Sequence, residues 1–396
     1  MASASASNPA LIKARPMPRR LLFLVTEDWY FLAHRLPMAR AAKAAGYEVH
    51  VATRLKDGKQ AIEKEGFVPH ALGWSRGSLS PRGNFSAVLD IRRLLRALEP
   101  DILHNVSLKP VLLGGTASLG LPQVAVVNTI TGRGTLFADR SRDGLTRKAT
   151  GFALRMLLAR ARSRTTVENA DDRQFLIALG APPDKIVVVP GSGVDTDKLV
   201  PLPEPAAPVT AAFAGRMLAI KGVAELIQAF SLLSERGVAL QLLLAGDCDR
   251  ENPGSLAPEQ LREFASLYGI NWIGHVTDIR EVWAKAHFAV LASRGGEGVP
   301  MSLLEAAACG RAMVATNVPG SRDIVVDGVT GLTAPLGDVP ALADAMAKLA
   351  GDAAMRERFG KAARALVVEE FSAEKIGEEI VALYDDLVSD RPASSR

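Results

Sequence analysis

At 396 residues the chain is too long for one ordinary core and suits two domains, and with nearly half of those residues hydrophobic it must fold around well-buried interiors. A formal charge of +4 admits anionic partners such as nucleotides, phosphates or acidic lipid, while aromatic residues at 5%, with no stacking motif among the basic ones, argue against nucleic acid. Two distant cysteines, Cys248 and Cys309, give neither a disulfide framework nor metal-ligand spacing, and fit a reducing, cytoplasmic setting.

In chain order, residues 1–18 are small, polar and Pro-containing; without an apolar centre they are not a secretory signal and read as a disordered leader. "RRLLFLVTED" (19–28) reads as a buried parallel strand, followed by a helical pattern, "LAHRLPMARAAKAAG", that stops at Gly46. "YEVHVAT" (47–53), "DILHN" (101–105) and "QVAVVNTIT" (123–131) are further strands, and "AVLDIRRLLRALEP" (87–100) is an amphipathic helix stopped by Pro100. Residues 133–164 carry nine Lys/Arg against two Asp, and "GFALRMLLARA" within them is apolar on one face. That pattern fits either a core-facing helix with a solvated rim or a helix lying on an anionic membrane surface.

The stretch 190–208 is rich in Pro and Gly and lacks periodicity, which marks an interdomain linker. Alternation then restarts, with strands at "VTAAFAG", "LQLLLAGD", "NWIG", "FAVLAS" and "AMVAT" and helices at "GVAELIQAFSLLSERG", "DIREVWAKA" and "SLLEAAACG". The pattern is α/β: two doubly wound domains with parallel sheets, over 19–195 and 196–372, whose ligands bind beyond the carboxyl ends of the strands, in the cleft between the domains. No apolar run approaches the roughly 18 residues that span a bilayer.

Two motifs in the second half carry chemistry. "AGRMLAIKG" (214–222) follows a strand and precedes a helix, so Arg216 and Lys221 make a two-cation clamp for a diphosphate, or else are ordinary solvated loop residues. In "RGGEGVPMSLLEAAACG" (294–310), Ser302 and Glu305 have the spacing of a helix capping box, and the backbone N–H groups of that helix start form an anion site. Glu297 stands on the glycine-flanked loop before it.

"EGVPMSLLE", with "GRMLAIKG", "LLLAGD", "WIGHV" and "AMVATNVPGSRDIVVDGVTGL" in the right order, resembles glycosyltransferase family 4 over nearly the whole chain. The resemblance implies the GT-B fold, two Rossmann-like domains facing a cleft, and a retaining transferase that needs no metal and no other cofactor. It implies a nucleotide sugar, with UDP expected, held by the second domain through Arg216, Lys221, Glu297 and Glu305. Arg216 and Lys221 would stabilise the leaving diphosphate, Glu305 would meet ribose hydroxyls and Glu297 hexose hydroxyls. Gly274, His275 and Val276 would lie beside the nucleobase, with Gly298, Met301, Ser302 and Leu303 completing the donor site. The last helix, 373–390, would cross back onto the first domain.

"TEDWYFLAHRLPMARAA", "SRGSLSP", "LHNVSLKP" and "NTITGRGTLF" are similar to the subgroup that builds bacterial polyprenyl-diphosphate-linked oligosaccharides for surface or exopolysaccharide, including transferases of the N-acetylgalactosaminyl type. That likeness implies a lipid-linked saccharide acceptor met at the inner face of the cytoplasmic membrane, with Asp28, His34, Arg35, His104, Lys109, Thr131 and Arg133 on the acceptor side. Many relatives carry a second histidine shortly after the position of His104; this chain has Asn105, Val106 and Ser107 there. The rival readings are a sugar-nucleotide epimerase of the same architecture and a non-catalytic nucleotide-sugar-binding scaffold.

Overall fold

The computed structural model describes residues 18–74, 81–132, 144–295 and 298–389. The expected leader therefore lies almost wholly outside the described residues, as do Arg133, Glu297 and part of the basic stretch 133–164.

Two all-parallel sheets account for the strands. The first has seven, in the order β3-β2-β1-β4-β5-β6-β7: β1 (Arg20–Glu27), β2 (Glu48–Arg54), β3 (Val68–Ala71), β4 (Ile102–Val106), β5 (Ala125–Ile130), β6 (Ser163–Val167) and β7 (Ile186–Val188). The second has six, in the order β10-β9-β8-β11-β12-β13: β8 (Thr210–Ala214), β9 (Gln241–Ala245), β10 (Ile270–Gly274), β11 (Phe288–Leu291), β12 (Ala312–Thr316) and β13 (Gly331–Ala334). In each sheet the winding reverses once, between β1 and β4 and between β8 and β11, and those reversals open the crevices where such sheets take ligands. β4 and β5 are buried at every position, as strands covered by helices on both faces must be.

Four short strands were not among those expected: β3, β6, β7 and β13. "VPHA" and "SRTTV" mix polar with apolar residues and "IVV" is three residues long, so none shows the apolar run that betrays a central strand. The first helical pattern is two helices, Asp28–His34 and Leu36–Ala44, broken at Arg35. Pro37 explains the break, because its ring and missing N–H cannot continue a preceding helix but suit the first turn of a new one. The helix expected from residue 87 begins at Pro81 for the same reason.

The last helix, Ala373–Ser389, leaves the second half and packs on the first. Ile376, Ile380, Tyr384 and Leu387 enter the core of Leu21, Phe23, Val49 and Val127. Tyr384 OH lies 2.5 Å from His104 Nδ1, and His104 Nε2 lies 2.6 Å from Thr129 Oγ1. His104 is fully buried with both ring nitrogens engaged, and burial holds its pKa well below the usual value. The ring, expected on the acceptor side, is a core tie with both nitrogens engaged.

Within the basic stretch 133–164, three described arginines have partners in the fold. Arg160 donates to Ser118 Oγ and to the carbonyls of Leu121 and Val124, Arg162 to those of Pro122, Gln123 and Leu387, and Arg164 pairs with Asp386. Arg160 and Arg162 thus satisfy backbone carbonyls of the first half and of the last helix, and Arg164 meets an acid of the last helix. On the helix Gly144–Leu158, Leu154, Leu157 and Leu158 are buried, while Phe152 and Met156, one turn apart, are 64% and 59% exposed.

Candidate functional site

The carboxyl ends of the two sheets meet. β8 ends at Ala214, and the chain turns through Gly215 and Arg216 into a 3-10 turn, Ala219–Lys221, before the helix Val223–Glu235. Gly222 makes that turn possible: its φ is +71°, and a Cβ there would stand 1.8 Å from the Ala292 carbonyl oxygen after β11. Ile220 O accepts the backbone N–H of Arg294, so the loops after β8 and β11 are tied across the second reversal point.

Arg216 Nη1 donates to Asp249 at 2.9 Å, and its guanidinium lies 5.6 Å from the ring centroid of Trp29, at the start of the first helix of the other half. His34, at the end of that helix, is the point where the halves converge. Its pKa is lowered to about 3, first by desolvation and then by Arg35, Lys221 and Arg216. Three expected site residues from opposite halves, His34, Arg216 and Lys221, therefore share one electrostatic neighbourhood.

The helix Met301–Ala308 begins one residue after its N-cap, Pro300, which offers no side-chain cap. The expected capping box is thus overturned. Ser302 lies in the first turn and Glu305 in the second, so neither has the position from which a capping pair bonds the chain end. Glu305 is partly exposed at the surface yet densely surrounded, and desolvation pushes its carboxyl up to about 8. Among the described residues no hydrogen bond or ion pair to its side chain is present, so its carboxyl is uncommitted within the fold. Met301 and Ser302 are half-buried beside it, whereas Leu303 points into the core. Gly274 ends β10 at φ +70°, His275 is exposed and Val276 half-buried, on the far edge of the same sheet end.

On the first half the expected residues divide. Asp28 is buried, and its carboxylate accepts backbone N–H groups of Trp29 (2.8 Å), Lys56 (2.6 Å) and Gly58 (2.9 Å). It pins the loop after β2 to the end of β1. Arg35 is fully buried and paired with Glu168 at 2.9 Å. Lys109 is half-buried; desolvation lowers its pKa, with Arg54 lowering it further and Glu27 raising it. Thr131 Oγ1 lies 3.2 Å from Ser107 Oγ above the first reversal point.

Sequence reasoning missed Glu27, Arg54, Glu251 and Glu168. Both Arg54 Nε and Nη2 donate to Glu27 Oε2, and Arg54 and Lys56 reach across to Glu251 beyond β9. Glu27 is 1% exposed, and its Oε1 has no hydrogen-bond partner. The signal was "TED": two adjacent acids ending an apolar strand, where one suffices to close a turn. Among the described residues no group of three or more His, Cys, Asp or Glu side chains is placed to hold a metal ion.

Two family models match the two halves: "Glycosyltransferase Family 4" over residues 36–198 and "Glycosyl transferases group 1" over residues 208–352. The chain is 30% identical over 178 residues to the capsular polysaccharide biosynthesis glycosyltransferase CapM of Staphylococcus aureus, a match covering 45% of this chain and 46% of CapM, so it spans under half the length of that relative. It is 24% identical to the N,N'-diacetylbacillosaminyl-diphospho-undecaprenol alpha-1,3-N-acetylgalactosaminyltransferase of Campylobacter jejuni, covering 89% of this chain and 95% of that enzyme. Its fold is similar to that of Anabaena HepE, solved in complex with UDP, with a TM-score of 0.74 at 17% identity over 93% of this chain and 100% of the other.

The electrostatics of His34 generate a test. Its ring should remain neutral to well below pH 5 in the free protein, as followed by ring-proton NMR with His34→Gln for assignment. Since the unfolded ring protonates near 6.5 and the native ring only near 3, this histidine costs stability as pH falls through that window. Pyrophosphate should raise the native pKa by offsetting Arg216 and Lys221. A ring that titrates near 6.5, or is indifferent to the anion, would separate His34 from the two cations.

Proposed function

The chain belongs to glycosyltransferase family 4, and from that membership we propose that it moves a hexose or N-acetylhexosamine from a UDP-sugar to a polyprenyl-diphosphate-linked saccharide, with retention at the anomeric carbon and without a metal. The observation that carries this reading is the convergence of Arg216 and Lys221 on His34 at the second reversal point, beside the start of the helix that bears Glu305. Cleavage of the anomeric C–O bond leaves negative charge on the departing diphosphate. Two cations and the free N–H groups of a helix start are groups that stabilise it without rearranging. A neutral His34 adds no competing charge and can donate or accept one hydrogen bond. The acceptor hydroxyl bonds to the anomeric carbon on the face the diphosphate leaves, and its proton passes to the departing phosphate oxygen.

Acceptor choice is supported by the relative from Campylobacter jejuni, whose name specifies a sugar on diphospho-undecaprenol. Among the described residues no helix is long and apolar enough to cross a membrane, so an acceptor with a polyprenyl chain is met at the bilayer surface. Beside the expected basic stretch 133–164, surface features that suit this are Phe152 and Met156, flanked by exposed Lys148 and Arg155, with Phe85 and Leu89 one turn apart on another helix. We place the enzyme by this reading at the inner face of the cytoplasmic membrane.

Three measurements test the proposal. A panel of nucleotide sugars, assayed with a lipid-diphosphate-saccharide extract and product mass, should give one transferred sugar that survives excess EDTA. Loss on chelation with rescue by magnesium removes metal independence, and a changed sugar without acceptor identifies an epimerase. Glu305→Gln should weaken UDP binding several-fold, from the loss of a ribose hydrogen bond of roughly 0.5–1.5 kcal/mol, while Glu297→Gln lowers turnover and spares UDP binding. If Glu305→Gln changes only the melting temperature, the ribose role fails. Finally, Phe152→Ser with Met156→Ser should reduce flotation with anionic vesicles at low salt and slow transfer to the lipid acceptor, leaving UDP affinity unchanged; wild-type protein that stays unbound would point to a soluble acceptor.

A further inference from the structure

Glu168 ends β6 in the first half, 6% exposed, yet it divides its two oxygens between the halves. Oε1 accepts Arg35 Nη2 at 2.9 Å within the first half. Oε2 accepts the backbone N–H of Val299, at 2.9 Å, in the second. Val299 is the residue before Pro300, the N-cap of the helix Met301–Ala308. The approach is close enough to fix the neighbouring residue type: a Cβ at Gly298 would stand 1.7 Å from Glu168 Oε2. Val299 is held from its other side as well, its Cβ lying 3.1 Å from where a Cβ of Gly191 would stand.

The support behind Glu168 is equally fixed. Asn169, the next residue, caps the helix Ala170–Ala178 by accepting the Asp172 N–H at 2.8 Å, which sets the direction in which the strand exits. Arg35, 0% exposed, supplies the counter-charge to the carboxylate in a dry site. Were Glu168 merely the partner of Arg35, a two-pronged pairing would use both oxygens on the guanidinium. Here one oxygen is spent on a backbone group of the opposite half.

We propose that Glu168 is a positioning residue for the donor-site helix: through the Val299 N–H it fixes, from the acceptor half, where the N-terminus of Met301–Ala308 points. This rests on the reading of that helix start as the diphosphate and ribose site. Its effect passes through backbone geometry, since a displacement of about 1 Å in such groups is enough to cost a large part of their electrostatic benefit.

The test combines amide hydrogen exchange over residues 298–303, calorimetric titration with UDP, and melting temperature, on the full chain. Glu168→Ala should speed exchange at the Val299 amide at least tenfold and raise the UDP dissociation constant about tenfold. Glu168→Gln retains an oxygen that can accept the Val299 N–H and should restore most of both. If Glu168→Ala does not fold, because Arg35 is left as an unpaired buried cation, Arg35→Met combined with Glu168→Ala removes the pair together and is read in the same way. Folded variants with wild-type exchange at 298–303, or with faster exchange but wild-type UDP affinity, overturn the positioning role alone. Wild-type protein that binds no UDP overturns instead the donor-site reading on which it stands, and this is seen before any variant is made.

Discussion

Parallel pairing is the constraint from which the rest of the molecule follows. Every strand in both sheets runs the same way as its neighbours, so every strand must be followed by a crossover and every carboxyl end lies on one rim. The residues that leave the strands there cannot all be apolar, because the turns expose backbone groups that need partners. Glu27, Asp28 and Arg54 leave β1 and β2, Glu168 leaves β6, and Arg216 and Arg294 leave β8 and β11. With two such rims facing each other, charged groups from distant parts of the sequence are pressed into one narrow space.

That crowding sets the electrostatics. Where a group finds a partner it is held in an ion pair: Arg54 with Glu27, Arg35 with Glu168, Arg216 with Asp249. Where it finds none, it gives the charge up. His34, desolvated and facing three cations, stays neutral, and Glu305, desolvated without a cationic partner among the described residues, tends to hold its proton near neutral pH. The raised carboxyl pKa of Glu305 also means that stability declines as pH rises from the ordinary carboxylate range towards about 8, since the unfolded chain releases that proton first. A site that disfavours added charge at His34 and brings Arg216 and Lys221 near it is arranged to gain from an arriving anion.

How much of this the sequence disclosed depends on whether the signal was local. Long apolar strands and the Gly-bounded turn at Lys221 and Gly222 are properties of contiguous residues, and they read correctly. The polar or very short strands β3, β6 and β7 take their place from neighbours, not from their own pattern, and were missed. The same divide runs through the site. Arg216, Lys221 and Glu305 belong to short motifs and could be named, whereas Glu168 and Glu251 act on residues 131 and 197 positions away, which no window reveals. His104 and the arginines at 160 and 162 show the converse: residue type suggested chemistry, while their partners in the fold, buried hydroxyls and backbone carbonyls, are visible only in three dimensions.

The two halves are joined by two chain crossings that lie side by side. Val194 N–H donates to Phe371 O at 2.9 Å, and Ala373 N–H donates to Val194 O at 2.8 Å, so the linker and the entry to the last helix form a single strap. Away from the strap the contacts across the cleft are of unequal weight. Arg54 and Lys56 with Glu251, and Arg322 with Asp171, have at least one partner substantially exposed; pairs of that kind contribute typically 0–1 kcal/mol and weaken with salt. The Glu168 contact with Val299 is buried, and a buried acceptor stripped of its donor is costly. Strength therefore lies in the dry interior and weakness in the solvent-exposed pairs, a distribution that lets exposed ion pairs across the cleft give way to an arriving charge while the N-terminus of the helix Met301–Ala308 stays registered against the opposite half.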